Sequence, residues 1–384
     1  MSEAAEQVEQ RVRWSELFID LVWVFGATQL SAVLAHGHGF PDIGRTLLLL
    51  LPMWWGWVGV TVFGNAAGTR IDTAQVRLVL FGVAGSALAM AVAIPTAYAA
   101  GSLLFASGYT VLRLILWAAM RPLRFYGTGW MDPFAVALFV SAPLFLVGAL
   151  LGGGGQVVLW LLATLVEIAT PWLLSEKLKE LVFETAHLPE RFGLFMLIML
   201  GETIVAAGGS ASGHGDLSLG VLGVLGLGFL LTVALWWTYF HYGASAARHA
   251  LRTTSLQARI VREVFSYAHL MYVVGLVCVA VGLEKVLAHP SGTPHSVLEM
   301  LLAPGVGLYL LGFCYSRWRM FGAPTWFRTS AVLVCVAIVV AAPRLPLVAT
   351  AALVTAVLIV LNGLEYFWVE TGRPLLLVPM PGSK

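Results

Sequence analysis

The chain is short of charge. Only 11% of its 384 residues are charged, and 59% are hydrophobic. A soluble domain carries about 25% charged residues, so this composition excludes a water-facing globular surface and implies an integral membrane protein. Cysteine is scarce as well. Cys278, Cys314 and Cys335 all fall inside apolar runs, which excludes a disulfide framework and a thiolate metal cluster and leaves small core residues. A net charge of +2 gives no reason to expect nucleic acid as a partner. The first ten residues are polar and acidic and lack the basic start and apolar core of a cleaved signal peptide. The first span is therefore expected to act as an uncleaved membrane signal. The run Gly152 to Gly155 has neither the Lys-Ser/Thr nor the preceding strand of a phosphate loop, and it reads as a turn. No cofactor and no metal are expected.

What the chain has is apolar length. Stretches long enough to cross a bilayer lie near 16–35, 44–64, 77–98, 100–119, 133–151 and 155–174, then near 192–209, 217–241, 264–287, 296–316, 327–343 and 346–368. The expected fold is an all-α bundle of about 12 transmembrane helices, one integral membrane domain over 1–384. The basic residues support that count. Eighteen of the 22 Lys and Arg fall at the termini and in the even-numbered loops, and only Arg45, Lys285 and Arg344 fall in the odd-numbered ones. Missing one early span would collapse this bias, so the positive-inside rule places both termini in the cytoplasm. Fourteen Trp suit anchoring at the membrane interfaces. The longest loops, about 175–191 and 242–263, are short and cytoplasmic on this reading.

A weak internal repeat is visible. Trp54-Trp55 in span two has a counterpart in Trp236-Trp237 of span eight, Arg77 matches Arg262, and Gly26 matches Gly201. An offset of six spans keeps two halves, 1–180 and 181–384, in the same orientation, as in parallel-repeat transporters.

The remaining charges carry the functional question. Glu202 sits inside the apolar run 192–207, about 15 Å down a helix that rises about 1.5 Å per residue. An acid at that depth must be protonated, paired or open to internal water. Glu16 and Asp20 are four apart on one face of span one, where like charges repel; a nearby cation or a raised pKa on Asp20 is expected, although Glu16 alone could simply mark a helix start. Gln29 continues that polar side. Arg113 lies midway along span four and needs an anion, with Asp20, Glu167 and Glu202 as the candidates. Glu167, Glu284 and Glu365 lie nearer helix ends, where they can snorkel. His269, one turn into span nine, either titrates or bonds a carbonyl. His187 and Glu190 are three apart, but a metal would need further ligands at suitable spacing; Glu190-Arg191 is expected to start span seven and pair at the surface. Trp236-Trp237-Thr-Tyr239-Phe240-His241-Tyr242 reads as an interfacial aromatic belt or an aromatic-lined vestibule.

These residues carry a family resemblance. The run Glu16-Leu-Phe-Ile-Asp20-Leu-Val-Trp-Val-Phe resembles the opening signature of the bacterial low temperature requirement A (LtrA) family. The run His187-Leu-Pro-Glu190-Arg191-Phe-Gly-Leu-Phe, continued by Leu-Gly201-Glu202, resembles the family's central signature. The tryptophan pair in span two and Arg77 also fit, and the likeness covers nearly the whole chain. Ile19 and Trp23 stand where the family more often shows phenylalanine, and both remain apolar. The resemblance implies a polytopic bacterial membrane protein associated with growth at low temperature. It groups Glu16, Asp20, His187, Glu190, Arg191 and Glu202 as one motif set without assigning them a chemistry.

The expectation is a proton-linked transporter or permease of a small molecule or ion in the bacterial cytoplasmic membrane, its partner the lipid bilayer, using the buried acids of spans one and seven. The competing classes are an intramembrane enzyme acting on a lipid or isoprenoid, for which no catalytic motif is present, and a structural or sensory membrane protein. The discriminating observation is whether Glu202 and Asp20 share an aqueous cavity or pair with Arg113.

Overall fold

Twelve long helices order the chain in a computed structural model that describes residues 12–127, 131–212, 218–323 and 325–371. In the first half these are α1 (Trp14–Ala35), α2 (Phe40–Ala67), α3 (Ala74–Ala93), α4 (Ser102–Met120), α5 (Pro133–Leu151) and α6 (Gly153–Leu173). In the second half they are α7 (His187–Ser212), α8 (Leu219–Thr253), α9 (Gln257–Ala288), α10 (Leu302–Phe321), α11 (Trp326–Ala341) and α12 (Leu347–Glu370). Eleven are long and apolar enough to cross a membrane; α10 is the one that is not counted, since Arg317 and Arg319 lower its mean hydropathy. No strand occurs among the described residues. In hydrocarbon the backbone must satisfy its own hydrogen bonds, and a helix does so within each crossing.

The starts and stops follow local chemistry. The side chains of Thr73, Asp132, Ser218 and Thr325 each accept a backbone N–H at the first turn of α3, α5, α8 and α11. Gly152 and Gly153 adopt φ of +67° and +52°, which lets α5 reverse into α6 without a longer loop. Two expected loops are largely helical instead. Residues 242–253 continue α8, and α9 begins at Gln257; Arg248, Arg252 and Arg259 lie on exposed helix faces, so the polarity that suggested a loop is one face of a longer helix. In the other, a single helical turn, Ser175–Leu178, precedes α7. Three segments are π-helical, 137–141 in α5, 238–243 in α8 and 261–268 in α9, a local unwinding often found at functional positions.

Neighbours recur between the halves. α1 packs on α3, α3 on α4, α4 on α5, α5 on α6 and α2 on α6; α7 packs on α9, α9 on α10, α10 on α11, α11 on α12 and α8 on α12. The seam between the halves is formed where α1 meets α7 and α9, and where α2 meets α7. α9 and α10 approach closely: a Cβ added at Gly275 would lie 2.8 Å from the Gly305 carbonyl oxygen. Small residues allow such close backbones in membranes.

The polarity is inverted relative to a soluble protein. Leu78, Phe81, Val92, Leu104, Val336 and Val340 face outward. The buried interior holds Glu16, Asp20, Arg113, Glu167, His187, Arg191, Glu202, Glu263, Arg328 and Glu365.

Candidate functional site

The two family signatures meet at the α1–α7 seam. Glu16 and Asp20 lie one turn apart on α1, and His187 and Arg191 lie one turn apart on α7, so each pair presents one helix face. The His187 Nε2 lies 3.0 and 3.1 Å from the two Glu16 carboxylate oxygens. One turn further in, the Arg191 Nη1 donates to the Asp20 carboxylate and, at 2.9 Å, to the Glu16 carbonyl. The indole N–H of Trp57 on α2 closes the set, donating to the other Asp20 oxygen at 2.8 Å. Its ring lies 5.5 Å from the Arg191 guanidinium, within reach of a cation–π contact.

All five side chains are buried, Arg191 completely at 0% exposure. Arg191 therefore does not pair at the surface as its place beside Glu190 suggested; α7 begins at His187 and carries it inside. Glu190 stays half-buried and accepts the Val12 N–H. Gly64 on α2 makes room for the cluster, since a Cβ there would sit 2.6 Å from a Glu16 carboxylate oxygen. The Glu16–Asp20 repulsion expected from spacing is offset by one guanidinium, and a proton on His187 would bring the four groups to neutrality. Trp57→Phe removes one donor from a buried carboxylate. It is expected to destabilise the protein by about 1.5–3 kcal/mol, read as a lower midpoint in denaturant titration of the purified protein; an unchanged midpoint would show that the indole bond contributes nothing.

Glu202 stands apart from this cluster, fifteen residues beyond His187 and so about 22 Å along α7. The Thr28 hydroxyl on α1 donates to it at 2.7 Å. No cation pairs with it among the described residues. Gln29 is half-buried beside Thr28, and Gly201 is half-buried beside Glu202. Neither Asp20 nor Glu202 thus pairs with Arg113.

Arg113 instead takes Glu167, the second of its three candidate anions. Its Nη2 donates to one Glu167 oxygen while the Tyr109 hydroxyl donates to the other at 2.7 Å. Glu167 is buried rather than snorkelling. So is Glu365, whose two oxygens accept from Arg328 Nε and Nη2 at 2.7 and 2.8 Å. Glu284 is half-buried near the end of α9. Sequence reasoning counted Arg328 only as a loop cation and did not single out Glu263, which is fully buried and accepts from Arg259, Arg262 and Arg319. The excess of arginine around 259–262 was the available signal.

His269 faces a second polar region. Its Nδ1 lies 2.9 Å from the Val264 carbonyl, which can only accept, so Nδ1 carries the proton and Nε2 accepts from the Tyr239 hydroxyl at 2.8 Å. Phe192 packs on both His269 and Trp57, with ring centroids 4.8 Å away in each case, and links this region to the α1–α7 cluster. His269, Tyr239, Arg328 and Glu365 line a cavity of about 70 Å³. The π-helical segments of α8 and α9 both contribute to its wall. Trp236 and Trp237 do not; they are 40% and 36% exposed. Their counterparts Trp54 and Trp55 are buried, and the Trp54 indole donates to the Ser266 carbonyl at 3.1 Å.

Comparison with known proteins addresses the same residues. A family model described as bacterial low temperature requirement A protein (LtrA) matches residues 11–363. An uncharacterised protein of Rhizobium meliloti (strain 1021) is 33% identical over 309 residues, which cover 77% of this chain and 75% of that protein. No solved structure matches the chain. A match of that extent, which takes in both the α1 and the α7 signatures, places this many-span helical membrane protein in the bacterial low temperature requirement A family.

Proposed function

We propose that the protein is a proton-linked transporter of a small solute, with Glu202 as the group that takes up and releases the proton. The observation that carries this reading is Glu202 itself. The acids Glu16, Asp20, Glu167, Glu263 and Glu365 each have an arginine within ion-pair distance. Glu202, deep on α7, has a threonine hydroxyl and, among the described residues, no cation. Intramembrane acids of this kind are costly, and proton relays are among the roles that retain them. The contact runs between α1 and α7, the leading helices of the two halves. The recurring neighbour pattern supports a 6+6 parallel duplication, in which these two helices are equivalent, and alternating access proceeds by movement of one repeat against the other. The basic residues gathered on one side support cytoplasmic termini.

The test uses purified protein in liposomes loaded with a pH-sensitive dye and challenged with a panel of metabolites under a pH gradient. The wild-type protein is expected to couple proton flux to at least one solute, and Glu202→Gln to abolish that coupling while keeping a folded elution profile. Coupled flux that survives in Glu202→Gln would remove Glu202 from the role. No coupled flux for any solute would count against transport as a whole.

A further inference from the structure

A second cavity lies between α2, α4, α5 and α6 of the first half and α9 of the second. Its volume is about 110 Å³, it is open to the outside, and its wall includes Trp55, Arg113, Glu167, Phe134, Leu181 and Arg262. Most of the remaining wall is aliphatic or aromatic. Two of its hydroxyls are spent on backbone: Thr170 donates to the Val166 carbonyl and Ser266 to that of Val261. Glu167 already accepts from Arg113 and Tyr109. Arg262 donates to the Pro171 carbonyl and to Glu263, with its guanidinium 4.2 Å from the Trp172 ring.

Three residues of this wall each hold a buried polar atom with no hydrogen-bond partner: the indole Nε1 of Trp55, the Nε of Arg113 and the Nε of Arg262. All three are N–H donors. Trp55 is only 8% exposed, and leaving such a donor unpaired is costly. Charge points the same way. Arg113 and Arg262 face Glu167 alone on this wall, and Glu263 behind Arg262 is shared among three arginines. The lining therefore combines residues that carry unpaired donors and positive charge with apolar surface. Binding pockets commonly combine apolar walls with a few convergent polar groups in this way.

We infer that this cavity binds an organic anion with an apolar body, an alkyl or aryl carboxylate or phosphate monoester, whose oxygens accept from Trp55, Arg113 and Arg262. Arginine suits both headgroups. The ligand could be supplied by the bilayer, as a fatty acid or lipid phosphate, or by water, as a free aryl acid. Binding is read at equilibrium without any flux, so it stands or falls separately from the coupling role of Glu202.

The experiment is calorimetric titration of the full-length protein in phosphatidylcholine nanodiscs. The probes are decanoate, decyl phosphate, 3-phenylpropionate and the neutral decanol. Saturable binding of at least one anion is expected, with none for decanol. Trp55→Phe keeps the ring and deletes the donor, and Arg262→Gln removes the charge at the wall. Each should weaken binding about tenfold, the size of one hydrogen bond to a charged group. Should either variant fail to fold, Leu181→Trp, which fills the apolar part, should abolish binding with the donors intact. Preference for decanoate or decyl phosphate would identify the bilayer as the source, and preference for 3-phenylpropionate would identify water; both support the site. Equal binding of decanol, no saturable binding of any anion, or unchanged affinity in the folded variants would overturn it.

Discussion

Arg191→Met is expected to lower stability by about 3–5 kcal/mol, the cost of leaving buried charge without its partner. Arg191 is the cation nearest both Asp20 and Glu16, and all three side chains are sealed from solvent. Methionine fills much of the same volume, so lost packing contributes little and the uncompensated carboxylates dominate. That separation can be tested. The combined variant Glu16→Gln, Asp20→Asn, Arg191→Met replaces the charges with neutral groups of similar shape, and such replacements are often close to neutral in stability. It should recover most of the thermal midpoint lost by Arg191→Met alone, measured by size-exclusion after heating in detergent. A single variant as stable as the wild type would show that the α1–α7 ion pair does not hold the halves together. A triple variant no better than the single one would assign the loss to packing.

The second large effect is expected at the α9–α10 contact. In Gly275→Leu the new side chain begins 2.8 Å from the Gly305 carbonyl oxygen and 3.0 Å from the Tyr309 backbone nitrogen. Both obstacles are main chain, so no side chain can turn aside and the helices must separate. Overpacking costs about 1–3 kcal/mol where neighbours can yield, and the upper end or beyond is expected here. Gly208→Leu on α7 is the matched control, because nothing lies within 4 Å of its added Cβ. The same thermal assay should show a marked drop for Gly275→Leu and little change for Gly208→Leu. Equal midpoints for the two would refute the close-packed seam.

The spans were legible in the sequence because each crossing announces itself locally. About 20 apolar residues, flanked by basic residues on one side of the membrane, specify a helix without reference to any other part of the chain. The partners of the buried charges are not local facts. Helical spacing put Glu16 and Asp20 on one face, yet it could not say that this face meets α7, and Arg191 looked like a surface residue because it stands two residues after a proline among polar neighbours. The identical four-residue spacing of His187 and Arg191 was readable, but only its position opposite Glu16 and Asp20 gives it meaning. Arg113 needed an anion on sequence grounds, and the packing of α4 near α6 selected Glu167 from three candidates. Glu365 and Arg328 were missed as a pair for the same reason, one judged a snorkelling acid and the other a loop cation. The stretch 242–263 was misjudged differently: Arg248, Arg252 and Arg259 mark the outer face of helices that extend past the apolar segment, while Arg262 turns inward.

Asp20 and Arg191 are 171 residues apart, and that distance is also an interval of time. A ribosome delivers α1 to the membrane when its cation has yet to be synthesised, and five further spans follow before α7 emerges. Throughout that interval the acids of α1 lack Arg191, the cation they meet in the finished fold. Until then water, lipid headgroups or an earlier cation must solvate them, so the α1–α7 contact can close only late. The order of assembly is thus written into the ion pair: α1 is made before α7 and is locked only when α7 arrives.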